Sequence, residues 1–203
     1  MTEKTNEKLK KIKQSFRLLM NGEANRSMRE KGLNYHLNWG VSLVDLRQMA
    51  KEYGKDYELA IELWKENIRE CKILATMIMP AERMLPEIVD IWVEQTQEVE
   101  IAEQAAFNLY QHLDFAPEIA FRWISSNDAI RQISGYHILS RLFMRGLEPN
   151  ERGINEFLDQ ALAALSDSNI SVRHAATTSL QRFSELGEDY SKIVDKALSK
   201  YNR

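Results

Sequence analysis

The chain of 203 residues has one cysteine, four prolines and eight glycines. A lone Cys71 excludes an internal disulfide framework and suits a reducing compartment. So few prolines and glycines leave long stretches free to form helix. No run of about 18 apolar residues occurs, so no membrane span is expected. Lys8, Lys10, Lys11 and Lys13 interrupt the N-terminus, which therefore lacks the apolar core of a signal peptide. No segment alternates with period two, so no sheet is expected. His36, His112, His137 and His174 share no ligand spacing, and neither a metal nor another cofactor is expected. A Gly-rich phosphate loop, a Ser/His/Asp elbow and a zinc-deaminase signature are all missing. These absences predict an all-helical cytoplasmic protein.

Charge is plentiful but unevenly spread. Charged residues make up 28% of the chain and the formal net charge is −3. Residues 1–31 nevertheless carry nine basic groups against four acidic ones. Lys8, Lys10, Lys11 and Lys13 head that run, on a basic helix expected at about 5–21. Such an arm suits phosphates, although a solvated helix face is the commoner meaning of a charge run.

Apolar residues recur at helical steps along the chain. Leu9, Ile12, Phe16 and Leu19 form the first stripe, with Gly22 as its stop. Ser42 and Asp45 have the spacing of a capping box before Leu43, Leu46 and Met49, and Gly54 is the natural end. Asp56 is placed to cap a helix that carries Leu59, Ala60, Leu63 and Trp64 inward. A further run from Ile68 to Ile78 stops before Pro80, and Pro86 opens the next. Residues 98–113 read as one Ala-rich helix, and Pro117 suits a first turn. Asp189 is the expected cap of a closing helix with Ile193, Ala197, Leu198 and Tyr201. Cys71, Trp64, Trp92 and Trp123 read as core.

Near the C-terminus the stretch from Asp167 to Leu180 reads as the second helix of a HEAT repeat. Val172, Ala176, Ser179 and Leu180 share one face, beside Arg173. A weaker copy, Ser126 to Leu139, lies 42 residues upstream, with Ile130, Arg131, Ser134 and Ile138 in the matching places. That spacing lies within the roughly 40–47 residue period of HEAT and armadillo repeats. The expected architecture is a single-domain α-solenoid of HEAT-like helix pairs over residues 1–203.

From about Tyr35 onward the chain resembles the DNA alkylation repair family, the AlkD-type alkylpurine DNA glycosylases. The carriers are Trp39-Gly-Val-Ser-Leu-Val-Asp-Leu-Arg-Gln-Met-Ala-Lys51 and Leu63-Trp64, with Glu70 and Ala75 behind them. Trp123-Ile-Ser-Ser-Asn-Asp128 and the 167–180 repeat continue the match. The resemblance implies a positively lined groove for duplex DNA and excision of N3- and N7-alkylated purines. It also implies a Trp and an Asp four residues apart, joined by an Arg and a second Trp.

At those four positions this chain has Val99, Glu103, Gln132 and Thr178. Glu103 keeps a carboxylate that could stabilise a developing oxocarbenium. Val99 and Thr178 have no aromatic face. Gln132 has no charge, although Arg131 is its neighbour. Arg131, Gln132 and Arg173 join the four lysines as candidate DNA contacts. Three readings follow: a protein that binds double-stranded or branched DNA with weak or lost glycosylase activity, a scaffold with a protein partner in its groove, and a glycosylase using Glu103.

Overall fold

The structure is a computed structural model that describes residues 2–201, with side chains as far as Ser199. The expected inward Tyr201 side chain lies outside the described residues. Two compact units divide between Leu109 and Tyr110. The first contains α1 (Glu3–Leu18), α2 (Gly22–Glu30), α3 (Leu43–Tyr53), α4 (Tyr57–Lys65), α5 (Arg69–Ile78), α6 (Pro86–Glu94) and α7 (Val99–Asn108). The second contains α8 (Ala116–Ile124), α9 (Ala129–Met144), α10 (Glu151–Ala164), α11 (Ile170–Ser184) and α12 (Glu188–Tyr201). Among the described residues no strand forms, and the one extended pairing is a parallel bridge between Leu37 and Ile68.

Local chemistry accounts for most helix ends. The Ser42 hydroxyl accepts from the Asp45 amide at 3.1 Å and donates to the Asp45 carboxylate at 2.6 Å. This closes the first turn of α3 with an Asp in the usual Glu place. Gly54 ends α3 at φ +67°. Asp56 caps α4 through the Leu59 amide, and Pro86 and Pro117 sit in the first turns of α6 and α8.

Four boundaries differ from the sequence expectation. α1 stops at Leu18, leaving Leu19 40% exposed, and Gly22 opens α2 instead of closing α1. The side chain of Asn21 accepts from Ala24 and caps α2, so a glycine at the first helical position costs little. The Ala-rich helix ends at Asn108, where Leu109 leaves helical geometry (φ −134°, ψ −61°) and buries completely. Asp189 lies inside the first turn of α12, after Glu188, so it is not the cap.

The fourth difference concerns the repeat. Asp128 caps α9 and Asn169 caps α11, a spacing of 41 and not 42. Hydrogen bonds before the two helices match in the same register. The Asp128 amide bonds the Ser126 hydroxyl, and the Asn169 amide bonds the Asp167 carboxylate. Gln132 therefore corresponds to Arg173, and Gly135 to Ala176. The one-residue slip arose because Ile130 and Val172 are both β-branched, although Ile130 is half-buried and Val172 fully buried.

Each unit has its own aromatic core. In the first, Trp64 and Trp92 stack in parallel with centroids 4.0 Å apart and planes 2° from each other. In the second, Trp123 meets Tyr110 edge-on at 5.6 Å. Phe143, Phe157 and Phe183 form a triangle with centroid separations of 5.2, 5.3 and 5.1 Å. Cys71 is fully buried in α5, as its apolar stripe predicts.

Candidate nucleic-acid interface

The basic run folds into α1, whose inner face buries Leu9, Ile12 and Phe16. The helix sorts its four candidate lysines into two pairs. Lys8 reaches Asp56 at 2.5 Å and Lys13 reaches Glu66 at 3.2 Å, both within the first unit. Burial raises the Asp56 carboxyl, but the Lys8 bond and the Leu59 amide outweigh it and hold it below its ordinary range. Lys10 and Lys11 point outward and are exposed, as are Lys4 and Arg17. Lys10 and Lys11 are thus presented to solvent, whereas Lys8 and Lys13 tie α1 to the start and end of α4.

Gln132 and Arg173 do the same job in successive repeats of the second unit. The Gln132 amide donates to the Ser126 carbonyl at 2.6 Å, and Arg173 Nη1 donates to the Asp167 carbonyl at 2.5 Å. Arg173 also reaches the Ser168 carbonyl at 3.1 Å. Both side chains staple a helix start to the turn before it. Arg173 keeps Nε and Nη2 beyond these bonds, and its half-buried position leaves an edge in contact with solvent. Arg131, next to Gln132 in sequence, is half-buried and already engaged with other groups.

Glu103 lies on α7, four residues after Val99, and both are half-buried. Glu103 is itself engaged with other groups. Thr178 on α11 is half-buried. No aromatic side chain occupies the place of either Val99 or Thr178. Among the described residues no cluster of three His, Cys, Asp or Glu could hold a metal ion. No described helix is long and apolar enough to cross a membrane.

The sequence reading missed a buried polar cluster at the centre of the first unit. Arg69 is 2% exposed and Glu70 is 0% exposed. Arg69 Nε and Nη2 donate to the two Glu100 oxygens at 2.8 and 2.6 Å, and Nη1 donates to the Val41 carbonyl at 3.0 Å. Tyr35 donates its hydroxyl to Glu100 at 2.5 Å. Glu70 accepts from the Trp39 and Val41 amides at 3.1 and 3.2 Å. Burial alone would lower the Arg69 pKa and raise that of Glu100, but their two bonds reverse both directions. Burial and the adjacent Glu100 charge push the Tyr35 phenol upward. The signal in the sequence was an Arg-Glu pair opening an otherwise apolar run.

This cluster fixes the segment that carries the Trp39-Gly-Val-Ser motif. Gly40 has φ +72°, and a Cβ there would lie 2.1 Å from the Asn21 carbonyl oxygen. Only glycine fits. The Asn21 amide also donates to the Trp39 carbonyl at 2.9 Å, and Asn25 bonds the Asn38 carbonyl at 2.5 Å. The motif is a latch between the α1–α2 corner and α5.

Beside it lies a cavity of 30 Å³ lined by Tyr35, Asn67, Arg69, Lys72, Gln95 and Glu98, among others. Such a space admits about one or two waters and no nucleobase. Lys72 stands over the Trp64 ring at 4.3 Å, and burial lowers its pKa to about 8.

Comparison with known proteins agrees with the fold. A solved structure described as "A new family of proteins related to the HEAT-like repeat DNA glycosylases with affinity for branched DNA structures" superposes with a TM-score of 0.81. It is 19% identical, and the match covers 94% of this chain and 80% of that one. At that identity the likeness establishes a HEAT-like repeat fold. No curated protein matches. The family model for the DNA alkylation repair enzyme matches residues 12–203. A match over nearly the whole chain, on a HEAT-like fold whose Gly-Val-Ser latch has a physical reason to exist, places this protein in the DNA alkylation repair enzyme family.

Proposed function

We propose that this protein binds double-stranded or branched DNA and excises alkylated bases weakly or not at all. The observation that carries this reading is the loss of both aromatic positions while cationic groups remain on the surface of α1. Val99 and Thr178 provide no π-face for a cationic purine, and Gln132 lacks the charge and fork of an Arg. Lys10, Lys11 and Arg17 share the outer face of α1 and could each neutralise a backbone phosphate. The structural relative, described as having affinity for branched DNA, supports this choice of ligand. The buried Cys71 fits a reducing compartment, which supports a cytoplasmic location.

The test is binding to fluorescent duplex and three-way-junction DNA across a salt series. Each phosphate that a variant no longer neutralises should flatten the log–log slope by about 0.9 for duplex DNA. Lys10→Gln with Lys11→Gln should flatten it and leave the melting temperature unchanged. Lys8→Gln with Lys13→Gln should lower stability slightly, since ion pairs near the surface contribute about 0–1 kcal/mol each. Its effect on the slope should be smaller. Absence of binding to any of these DNAs at low salt would overturn the proposal.

A protein partner is the second reading. It rests on the net charge of −3 and on the polar face of α10 where Glu151, Glu156 and Asp159 lie with Arg152. Retained partner capture after Lys10→Gln with Lys11→Gln, without DNA binding by the parent protein, would favour it.

A further inference from the structure

At the end of α1 three apolar residues stand in succession in water: Leu18 is 87% exposed, Leu19 40% and Met20 63%. Leu9, Ile12 and Phe16 already supply the packing face of this helix, so its fold does not use Leu18 or Met20. Three exposed apolar residues in succession form a candidate contact surface. Its surroundings choose the partner. Lys10, Lys11 and Arg17 are exposed on the same helix, Arg17 immediately before the tip. The Arg17 guanidinium lies 5.7 Å from the Trp39 ring centroid.

The corner is also tied down at Asn21. The Asn21 amide bonds the Trp39 carbonyl, and the Asn21 carbonyl packs where a side chain at position 40 would be. A fixed apolar point with cations behind it matches a phosphate backbone that exposes a base face. Continuous duplex hides those faces in the stack, whereas a branch point leaves them open. Inserting aliphatic or Met side chains at such steps is an established way for proteins to hold unstacked DNA.

We propose that the Leu18–Met20 corner is a wedge that covers the unstacked base pair at a DNA branch. Lys10, Lys11 and Arg17 hold the adjoining phosphates. This inference rests on the DNA-binding reading above and adds to it a source of preference for branched over continuous DNA.

The experiment places 2-aminopurine at the branch point of a three-way junction and compares junction with duplex affinity. Wild-type protein should raise the probe's fluorescence on binding. Leu18→Ser with Met20→Ser should abolish that rise and cut the junction-over-duplex preference about tenfold, the scale of burying one aliphatic side chain. Duplex affinity should hold, and circular dichroism should show an unchanged melt. Leu18→Phe should keep the preference, because it keeps an apolar face. Lys10→Gln with Lys11→Gln should weaken both DNAs together.

An unchanged preference in the double serine variant, with duplex binding intact, would overturn the wedge alone. So would a wild-type complex without fluorescence change. Loss of self-association in the serine variant, with DNA preference intact, would assign the corner to a second copy of this chain instead. Failure of wild-type protein to bind either DNA would overturn the wedge together with the DNA-binding reading.

Discussion

Arg69 grips Glu100 with a two-pronged bond, Nε to Oε2 at 2.8 Å and Nη2 to Oε1 at 2.6 Å, with the guanidinium buried and the carboxylate half-buried. The pair joins the start of α5 to the first turn of α7. Its remaining bonds hold the chain before α3 in place.

Breaking that grip should be costly. Arg69→Ala strands Glu70 and Glu100 with fewer donors, and removing one partner of a buried ion pair costs about 3–5 kcal/mol. Urea unfolding should show this drop in stability. Glu100 has a folded pKa below its unfolded value. Its contribution is therefore full above the ordinary carboxylate range and is lost as pH falls through the depressed folded value. Glu100→Gln should remove that part of the acid dependence. An Arg69→Ala protein as stable as wild type would show that the cluster is dispensable.

The repeat register makes a second prediction. A Cβ on Gly135 would lie 2.9 Å from the Ala120 carbonyl oxygen and 3.0 Å from the Ile124 amide nitrogen, both backbone atoms. Gly135→Ala gains about 1 kcal/mol of helix propensity. The forced separation of α8 and α9 should outweigh it, since overpacking costs about 1–3 kcal/mol. Ala176→Leu, at the corresponding fully buried place on α11, should destabilise on the same scale. Thermal melts of the two variants check both.

Lys72 should titrate far below an ordinary lysine. Burial lowers its pKa from 10.5 to about 8. Between those values the unfolded chain holds a proton that the folded chain has released. The Lys72 contribution to stability therefore rises with pH across that window. Nitrogen-detected NMR of the lysine amines should find one midpoint near 8 that vanishes in Lys72→Arg. A Lys72 midpoint at the ordinary 10.5 would contradict the burial of this amine.

Release of N7-methylguanine from alkylated duplex DNA should stay near the spontaneous rate under single-turnover conditions. Glu103 has one more rotatable bond than the Asp implied by the family, and Val99 has no aromatic face. Preorganised electrostatics is usually the largest catalytic contribution, and the exchange of Asp for the longer Glu is expected to weaken it. Restoring Val99→Trp, Glu103→Asp, Gln132→Arg and Thr178→Trp together should recover more than any single change. Fast release that disappears in Glu103→Gln would make Glu103 a working catalytic residue.

The helices were legible wherever a short-range signal decided them. Ser42 with Asp45, Gly54, Asp56 and the two first-turn prolines act within one turn of their own positions. Long-range choices were hidden. Gly22 reads as a stop until Asn21 is seen capping the next helix. Lys8 and Lys13 look like Lys10 and Lys11 until Asp56 and Glu66 arrive 48 and 53 residues later. Arg69, Glu70 and Glu100 sit among apolar neighbours without any spacing that announces a cluster, because their partners come from separate elements. Among the lysines proposed as DNA contacts, folding and not sequence decided which stay exposed and which pair with carboxylates.

The stacked indoles of Trp64 and Trp92 give the chain a built-in optical division. Three of its four tryptophans, Trp39, Trp64 and Trp92, belong to the first unit, and Trp123 alone belongs to the second. Two parallel rings at 4.0 Å are close enough to couple their excited states, which gives the first unit a near-ultraviolet circular dichroism signature of its own. Trp123, edge-on to Tyr110, has no such stacked indole beside it. The tryptophan emission of a Trp123→Phe protein would therefore come from the first unit only, and comparing it with wild type would separate the unfolding of residues before Tyr110 from that of residues after it.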